Sequence, residues 1–182
     1  KQGYHINLIR RANREGFKAG ALQYGLSKAK GEFIAIFDAD FIPDKEFLTK
    51  TLAAFRDDIG LVQTRWIHIN RDYSLLTMAQ AMGLDVHFSI EQAGRNAGNY
   101  FMHFNGTAGI WRKQCIEDAG GWQHDTLTED LDLSFRAQMK GWHFKYLDEV
   151  HSPAELPSFV SNIRTQQYRW TKGAAETAIK IW

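Results

Sequence analysis

Gly31-Glu32-Phe33-Ile34-Ala35-Ile36-Phe37-Asp38-Ala39-Asp40-Phe41-Ile42-Pro43-Asp44 decides the fold class. An apolar run rich in β-formers stops at two carboxylates with one residue between them, and Pro43 closes it. So short a run, with glycine before and proline after, predicts a buried strand and not a helix. Along a strand Asp38 and Asp40 share a face while Ala39 points back. Two like charges at the carboxyl end of a buried strand repel each other unless a cation joins them. Oxygen-only ligands suit Mg2+ or Mn2+, which take one or two carboxylates and then the phosphates of a substrate. The plainer alternative is a solvated turn leading into a helix, for which Asp44 is the better placed cap.

Outward from this stretch, strand and helix signals alternate. Residues 4–10 alternate and predict a short opening strand; residues 11–17 form a polar loop containing Gly16. Residues 18–26 have the small and apolar content of a helix packed closely on a sheet. After the Asp-x-Asp strand, residues 44–55 predict a helix with Phe47, Leu48, Leu52 and Phe55 on one face, and residues 60–66 another strand. This order predicts an α/β fold, a mainly parallel sheet with helices on its faces. Further on, the pattern predicts a long helix over 73–96, a loop at 95–99, a helix from 128 to 141 and a strand over 142–146. Pro153 and Pro157 then punctuate a loop, and a last helix runs from about residue 158.

The 182 residues suffice for one sizeable α/β domain. A composition of 44% hydrophobic and 24% charged residues is that of an ordinary globular domain. A net charge of +1 gives no ground for a generic nucleic-acid surface. The single cysteine, Cys115, rules out an internal disulfide and reads as a small core residue. No run approaches the roughly eighteen apolar residues of a membrane span. The chain opens on Lys1-Gln2-Gly3 and stops at Trp182 while still reading as helix, the pattern expected of a piece of a longer protein.

Several short constellations could carry chemistry. Thr128-Glu129-Asp130 combines a helix N-cap residue with acids in the first turn. The helix dipole alone would explain such acids, whereas beside a cleft Asp130 is placed as a general base. Asp132 faces away from Asp130 on the helix and reads as structural. Gln166, Arg169 and Trp170 fall on one face of the last helix, where they could grip a phosphate and stack on a sugar, or form a packing face. Arg14 and Lys18 flank Gly16 near a helix start and could meet phosphates. Asn105-Gly106-Thr107, after Phe104, supplies a turn able to bring backbone near a ligand.

In their order and spacing, Lys18-Ala19-Gly20-Ala21-Leu22, Asp38-Ala39-Asp40, Phe104-Asn105-Gly106-Thr107, Thr128-Glu129-Asp130 and Gln166-Gln167-Tyr168-Arg169-Trp170 resemble the family-two inverting glycosyltransferases. The likeness is to the processive branch, the cellulose, mannan, hyaluronan and chitin synthase-like enzymes. It covers almost the whole chain and implies a GT-A fold with residues 1–182 as one catalytic domain. It implies a UDP- or GDP-sugar donor, a glycan or glycolipid acceptor and no nucleic acid. Asp38 and Asp40 would hold Mg2+ or Mn2+ on the diphosphate, with Lys18, Gln166 and Arg169 around the nucleotide diphosphate. Asp130 would be the catalytic base, and Trp170, Glu129, Asn105, Gly106 and Thr107 would border the sugars. The same resemblance implies an opening nucleotide-binding strand and membrane helices outside this chain, and work at the cytoplasmic face of a membrane. The competing readings are a sugar-nucleotide nucleotidyltransferase and a non-catalytic carbohydrate- or nucleotide-binding module.

Overall fold

The computed structural model describes residues 6–182. Its four strands, β1 (Phe33–Ile36), β2 (Ile59–His68), β3 (Gly109–Arg112) and β4 (His143–Ala154), form one sheet in the order β1-β3-β2-β4. The α-helices among the described residues are α1 (Phe17–Leu26), α2 (Phe47–Leu52), α3 (Leu75–Val86), α4 (Ala93–Ala97), α5 (Lys113–Asp118), α6 (Glu129–Met139) and α7 (Val160–Ile181). β3 is antiparallel to both its neighbours, and β2 is parallel to β4. Three strands therefore run one way and β3 alone runs against them.

The expected α/β sheet is present, but β1 and β2 do not pair with each other. β3 lies between them, with Gly109 opposite Ile36 on one side and Gln63 on the other. A side chain at Gly109 would not fit, since its Cβ would lie 2.8 Å from the Phe104 ring and 3.1 Å from the Val62 carbonyl oxygen. Alternate residues of the central strands feed two cores. On one face Leu61, Trp111 and Phe144 pack with Leu26 of α1, Ile116 of α5 and Leu133 of α6. On the other, Val62, Ile110 and Leu147 pack with Phe47 of α2. Trp111 is fully buried, with the rings of Phe104, Trp122 and Phe144 edge-on to it at 5.7, 5.9 and 5.3 Å, the arrangement that aromatic quadrupoles favour. Cys115 is buried in the same core, and desolvation pushes its thiol up to about 12. It is a packing residue.

Several boundaries move for local reasons. Of the expected opening strand, Tyr4 and His5 lie outside the described residues and 6–10 form no strand. The helix expected over 44–55 shrinks to α2, because Asp44 makes a turn instead, accepting the Glu46 N–H on its side chain and the Phe47 N–H on its carbonyl. The helix expected over 73–96 is divided. Ser74 and Thr77 form a capping box that starts α3, and a π turn over His87–Gln92 separates α3 from α4. Pro153 lies inside β4 rather than in a loop. β4 is an edge strand, where a missing N–H is tolerated.

Candidate active site

β1 ends at Ile36, two residues short of Asp38, so strand alternation does not reach the acids. Residues 38–41 instead form a tight turn in which the Asp38 carbonyl accepts the Phe41 N–H at 3.1 Å. Neighbouring elements pin that turn from both ends. The Asp38 N–H donates to Thr107 Oγ1 at 2.9 Å, and the Ile42 N–H donates to the Pro153 carbonyl of β4 at 2.9 Å. Lys18, in the first turn of α1, reaches across with Nζ 2.6 Å from Asp38 Oδ1 and 3.0 Å from the Gly106 carbonyl. An ammonium thus already sits on the acid turn, on the Asp38 carboxylate, while Asp40 lines the same cavity. Among the described residues no group of three or more His, Cys, Asp or Glu is placed to hold a metal by itself. Two hard carboxylates fit an ion such as Mg2+ or Mn2+ that fills its remaining positions with phosphate oxygens and water.

The 105–107 loop joins this turn to α6. Gly106 has φ +83°, a conformation that side chains rarely adopt, and its Cβ would come within 2.9 Å of Asp130 Oδ2. The buried Gln63 holds the loop from beneath. Its Oε1 accepts the Asn105 N–H at 3.0 Å, and its Nε2 donates to the Thr107 and Ala108 carbonyls.

Asp130 stands at the start of α6 with one carboxylate oxygen accepting the Leu131 N–H at 2.9 Å. Burial, and then the neighbouring charge of Glu129, push its pKa from 3.8 up to about 7, against the opposing pull of that N–H and of Lys18. Burial raises Glu129 as well. Thr128 occupies the N-cap position but does not cap the helix with its side chain. Its hydroxyl meets that of Thr177 in α7 at 3.3 Å.

α7 is held against this region along its second half. Gly173 lies so close to Thr128 that a Cβ there would be 2.8 Å from the Thr128 backbone nitrogen. The Leu127 N–H donates to Glu176 at 2.9 Å, and Lys180 bonds both Gln123 and Asp125 at 2.7 Å. The fully buried Asp132 supports the same junction, as the structural reading expected. Its Oδ2 takes Arg136 Nη2 at 2.6 Å, while its Oδ1 lies 2.9 Å from Lys180 Nζ without hydrogen-bond alignment. The first half of α7 then projects Gln166, Arg169 and Trp170 over the acid turn.

Eleven of the site residues read from the sequence line one cavity of about 200 Å3: Lys18, Asp38, Asp40, Asn105, Gly106, Thr107, Glu129, Asp130, Gln166, Arg169 and Trp170; Arg14 does not. Asp130, Asn105, Gln166 and Trp170 also line a second cavity of about 510 Å3, walled by Trp66, Gln80, His87, His103 and Gln167. Lys18, Glu129 and Arg169 border a third, of about 760 Å3, which adds Arg11, Arg14 and His124. Asp130 therefore stands where a space of acids and bases meets a space of aromatic rings and amides. Trp170, 37% exposed, is a wall of both and not a core residue.

A family model described as glycosyltransferase like family 2 matches residues 2–173. The chain belongs to that family. Among curated glycosyltransferases, it is 48% identical over 176 residues to the probable glucomannan 4-beta-mannosyltransferase 4 of Oryza sativa subsp. japonica, covering 94% of this chain and 32% of the relative. It is 46% identical over 186 residues to the glucomannan 4-beta-mannosyltransferase 1 of Cyamopsis tetragonoloba, covering 100% and 35%. The chain thus spans about a third of the length of these relatives. A mannosyltransferase from Pyrobaculum calidifontis, solved in complex with GDP-Man and Mn2+, superposes with a TM-score of 0.72 at 20% identity, over 96% of this chain and 46% of that one. At that identity the likeness establishes the fold, a glycosyltransferase one.

Sequence reasoning missed the parts of this candidate site that lie behind its motifs. His87, Gln92 and His103 meet around Asn105, and no spacing announces it, since the π turn breaks the helical period that would have been used to place them. Trp66 forms a wall of both inner cavities from β2; its signal was only an aromatic at a strand end. Gly173, Thr177 and Lys180 read as ordinary helix residues although they seat α7.

Proposed function

We propose that this chain is the catalytic part of a divalent-metal-dependent inverting hexosyltransferase that moves mannose from GDP-mannose onto a β-linked glycan acceptor. The observation that carries the reading is the placement of Asp130, at the start of α6 where the carboxylate–lysine cavity meets the aromatic one, with burial raising its pKa. A base poised near the operating pH is the form that proton abstraction from a hydroxyl favours. The names of the plant relatives support mannose as the transferred sugar, and the Pyrobaculum complex with GDP-Man and Mn2+ supports the donor and a metal.

In this reading Asp38 and Asp40 hold Mg2+ or Mn2+, which when bound neutralises charge on the departing diphosphate. Lys18 and Arg169, which line the same cavity, supply fixed positive charge toward the phosphates, and Gln166 supplies an amide. The acceptor lies in the aromatic cavity of about 510 Å3 with its terminal ring against Trp170. Asp130 takes the proton of the attacking hydroxyl as that oxygen bonds the anomeric carbon. The bond from that carbon to the diphosphate oxygen breaks on the opposite face, and the electron pair leaves with the nucleoside diphosphate. One displacement with one base inverts the centre, so an α-linked donor gives a β-linkage. The motif order favours a processive enzyme. We place the parent protein at the cytoplasmic face of a membrane through segments outside this chain; among the described residues no helix is long and apolar enough to cross one.

The test is a donor screen on the intact protein in membrane vesicles, with GDP-mannose, GDP-glucose and UDP-glucose, reading released nucleoside diphosphate and product size. GDP release with polymer growth from GDP-mannose is expected, abolished by EDTA and restored by Mn2+ or Mg2+. Pyrophosphate release from a nucleoside triphosphate and a sugar 1-phosphate, supplied in a parallel assay, would establish a nucleotidyltransferase instead, and metal-dependent binding without any release a non-catalytic module.

A further inference from the structure

Between α3 and α4 the π turn over His87–Gln92 carries side chains that the mechanism above leaves unused. Such turns are rare, and they concentrate at functional positions. In an α-helix two residues five apart point about 140° away from each other. The wider turn brings His87 and Gln92 toward one face, and both reach Asn105. Gln92 Nε2 lies 2.9 Å from Asn105 Oδ1, and His87 Nε2 lies 2.9 Å from Asn105 Nδ2.

The proton positions follow by elimination. Gln92 Nε2 also lies 3.1 Å from the His103 carbonyl, which can only accept, so that atom is the amide nitrogen. The Asn105 atom it meets is then the oxygen, and the other Asn105 atom is the NH2. A donor facing His87 Nε2 requires a lone pair there, which leaves the imidazole proton on Nδ1. Nδ1 points at Glu91 Oε2, 2.9 Å away, a carboxylate that can only accept when ionised. Arg95 Nε, 3.1 Å from the other oxygen of Glu91, keeps that carboxylate charged and in place. His103 offers the same NH2 a second lone pair at 3.4 Å, and burial presses its pKa down to about 4, so it is neutral too.

The chain of contacts continues into the reaction cavity. Asn105 opens the loop whose next residue receives Lys18 on its carbonyl and abuts Asp130, and whose third residue takes the Asp38 N–H. A shift of the Asn105 amide therefore displaces the spacer between the acid turn and Asp130. We infer that Glu91, His87 and Asn105 form a positioning relay that locks the 105–107 loop and so sets the distance from the donor-holding acids to the base. Asn105, with both atoms of its amide held by protein partners, serves the loop in this relay. The inference rests on the proposed transfer reaction for its kinetic arm only.

The experiment compares wild type, His87→Phe and His87→Gln of the intact protein. Phe keeps a ring and has no lone pair, whereas the Gln side-chain oxygen can stand where Nε2 stands. With the donor found by the screen, His87→Phe should lose about 100-fold in kcat, the effect of an ångström-scale misplacement, with donor Kd unchanged. His87→Gln should recover most of that loss. A His87→Phe enzyme as fast as wild type overturns the relay. So does a Gln variant no better than Phe at equal melting temperature, or a loss confined to donor KM. Independently of turnover, 15N spectra of imidazole-labelled protein, with the His87 signals assigned by their disappearance in His87→Phe, read the tautomer. An unprotonated Nε2 supports the relay even where no donor is turned over, and a protonated Nε2 overturns it.

Discussion

Asp130→Asn should separate activity from stability in opposite directions. The raised pKa, about 7 against 3.8, means that the fold disfavours the ionised carboxylate, by an amount equivalent to about 4 kcal/mol. One side of the group opens onto the cavities, where water screens it, so about half of that, roughly 2 kcal/mol, is the expected net penalty. Asparagine keeps the oxygen that accepts the Leu131 N–H and removes the charge. For an acid raised in the folded state the penalty is absent below pH 4, grows as pH rises through the window up to about 7, and is complete above it. The variant should therefore melt with wild type at pH 4 and about 4–8 °C above it at pH 8, at roughly 2–4 °C per kcal/mol for a domain of this size. Transfer should fall by at least about 100-fold, the contribution of a general base, with donor affinity retained. Thermal melts across pH, donor titration and product release measure the three quantities. Retained transfer would refute Asp130 as the base, and a variant that melts below wild type at pH 8 would refute the desolvation argument.

Gly106→Ala forces a side chain into φ +83° and sets its Cβ 2.9 Å from Asp130 Oδ2. kcat should drop about 100-fold through loop displacement, at a stability cost of about 1–2 kcal/mol; a variant with normal kcat would show that the loop does not set the geometry. Asp132→Ala leaves Arg136 with only the Ala119 and Gly121 carbonyls and takes a buried charge from beside Lys180 of α7. It should cost about 3 kcal/mol and lower Tm by about 6–12 °C, and a shift under 2 °C would make the buried pair energetically neutral.

What was legible from the residues was the chemistry and not the scaffolding around it. Asp38, Asp130 and Arg169 were found because each is an unusual residue for its place in a pattern: an acid ending an apolar run, an acid opening a helix, a cation on a tryptophan face. Three-dimensional folding then brings them to one cavity. The reason given for pairing Asp38 with Asp40 was wrong in detail, because β1 stops early and a turn closed by Phe41, Thr107 and Pro153 orients them. That turn depends on partners more than sixty residues away, which no local pattern contains. β3 was invisible for a similar reason. A four-residue strand leaving a glycine-rich loop has too little length to show a period, and its insertion between β1 and β2 is decided by Gly109 fitting beneath Phe104. The His87–Gln92 segment reads as continuous helix because apolar spacing persists on either side, while the extra residue in its turn leaves no trace in composition.

The seam between α6 and α7 has a consequence for anyone wishing to alter this molecule. Thr128 against Gly173, Thr128 against Thr177, and Lys180 reaching Asp125 and Asp132 fasten α7, with Gln166 and Arg169, to the start of α6, with Asp130. The two helices are therefore packed and bonded along one seam. A change of donor cannot be engineered by re-angling α7 without dragging Asp130 with it. Room for a different donor sugar has to be cut instead from the walls of the acid-lined cavity that stand apart from the seam, at Trp66 and Leu84.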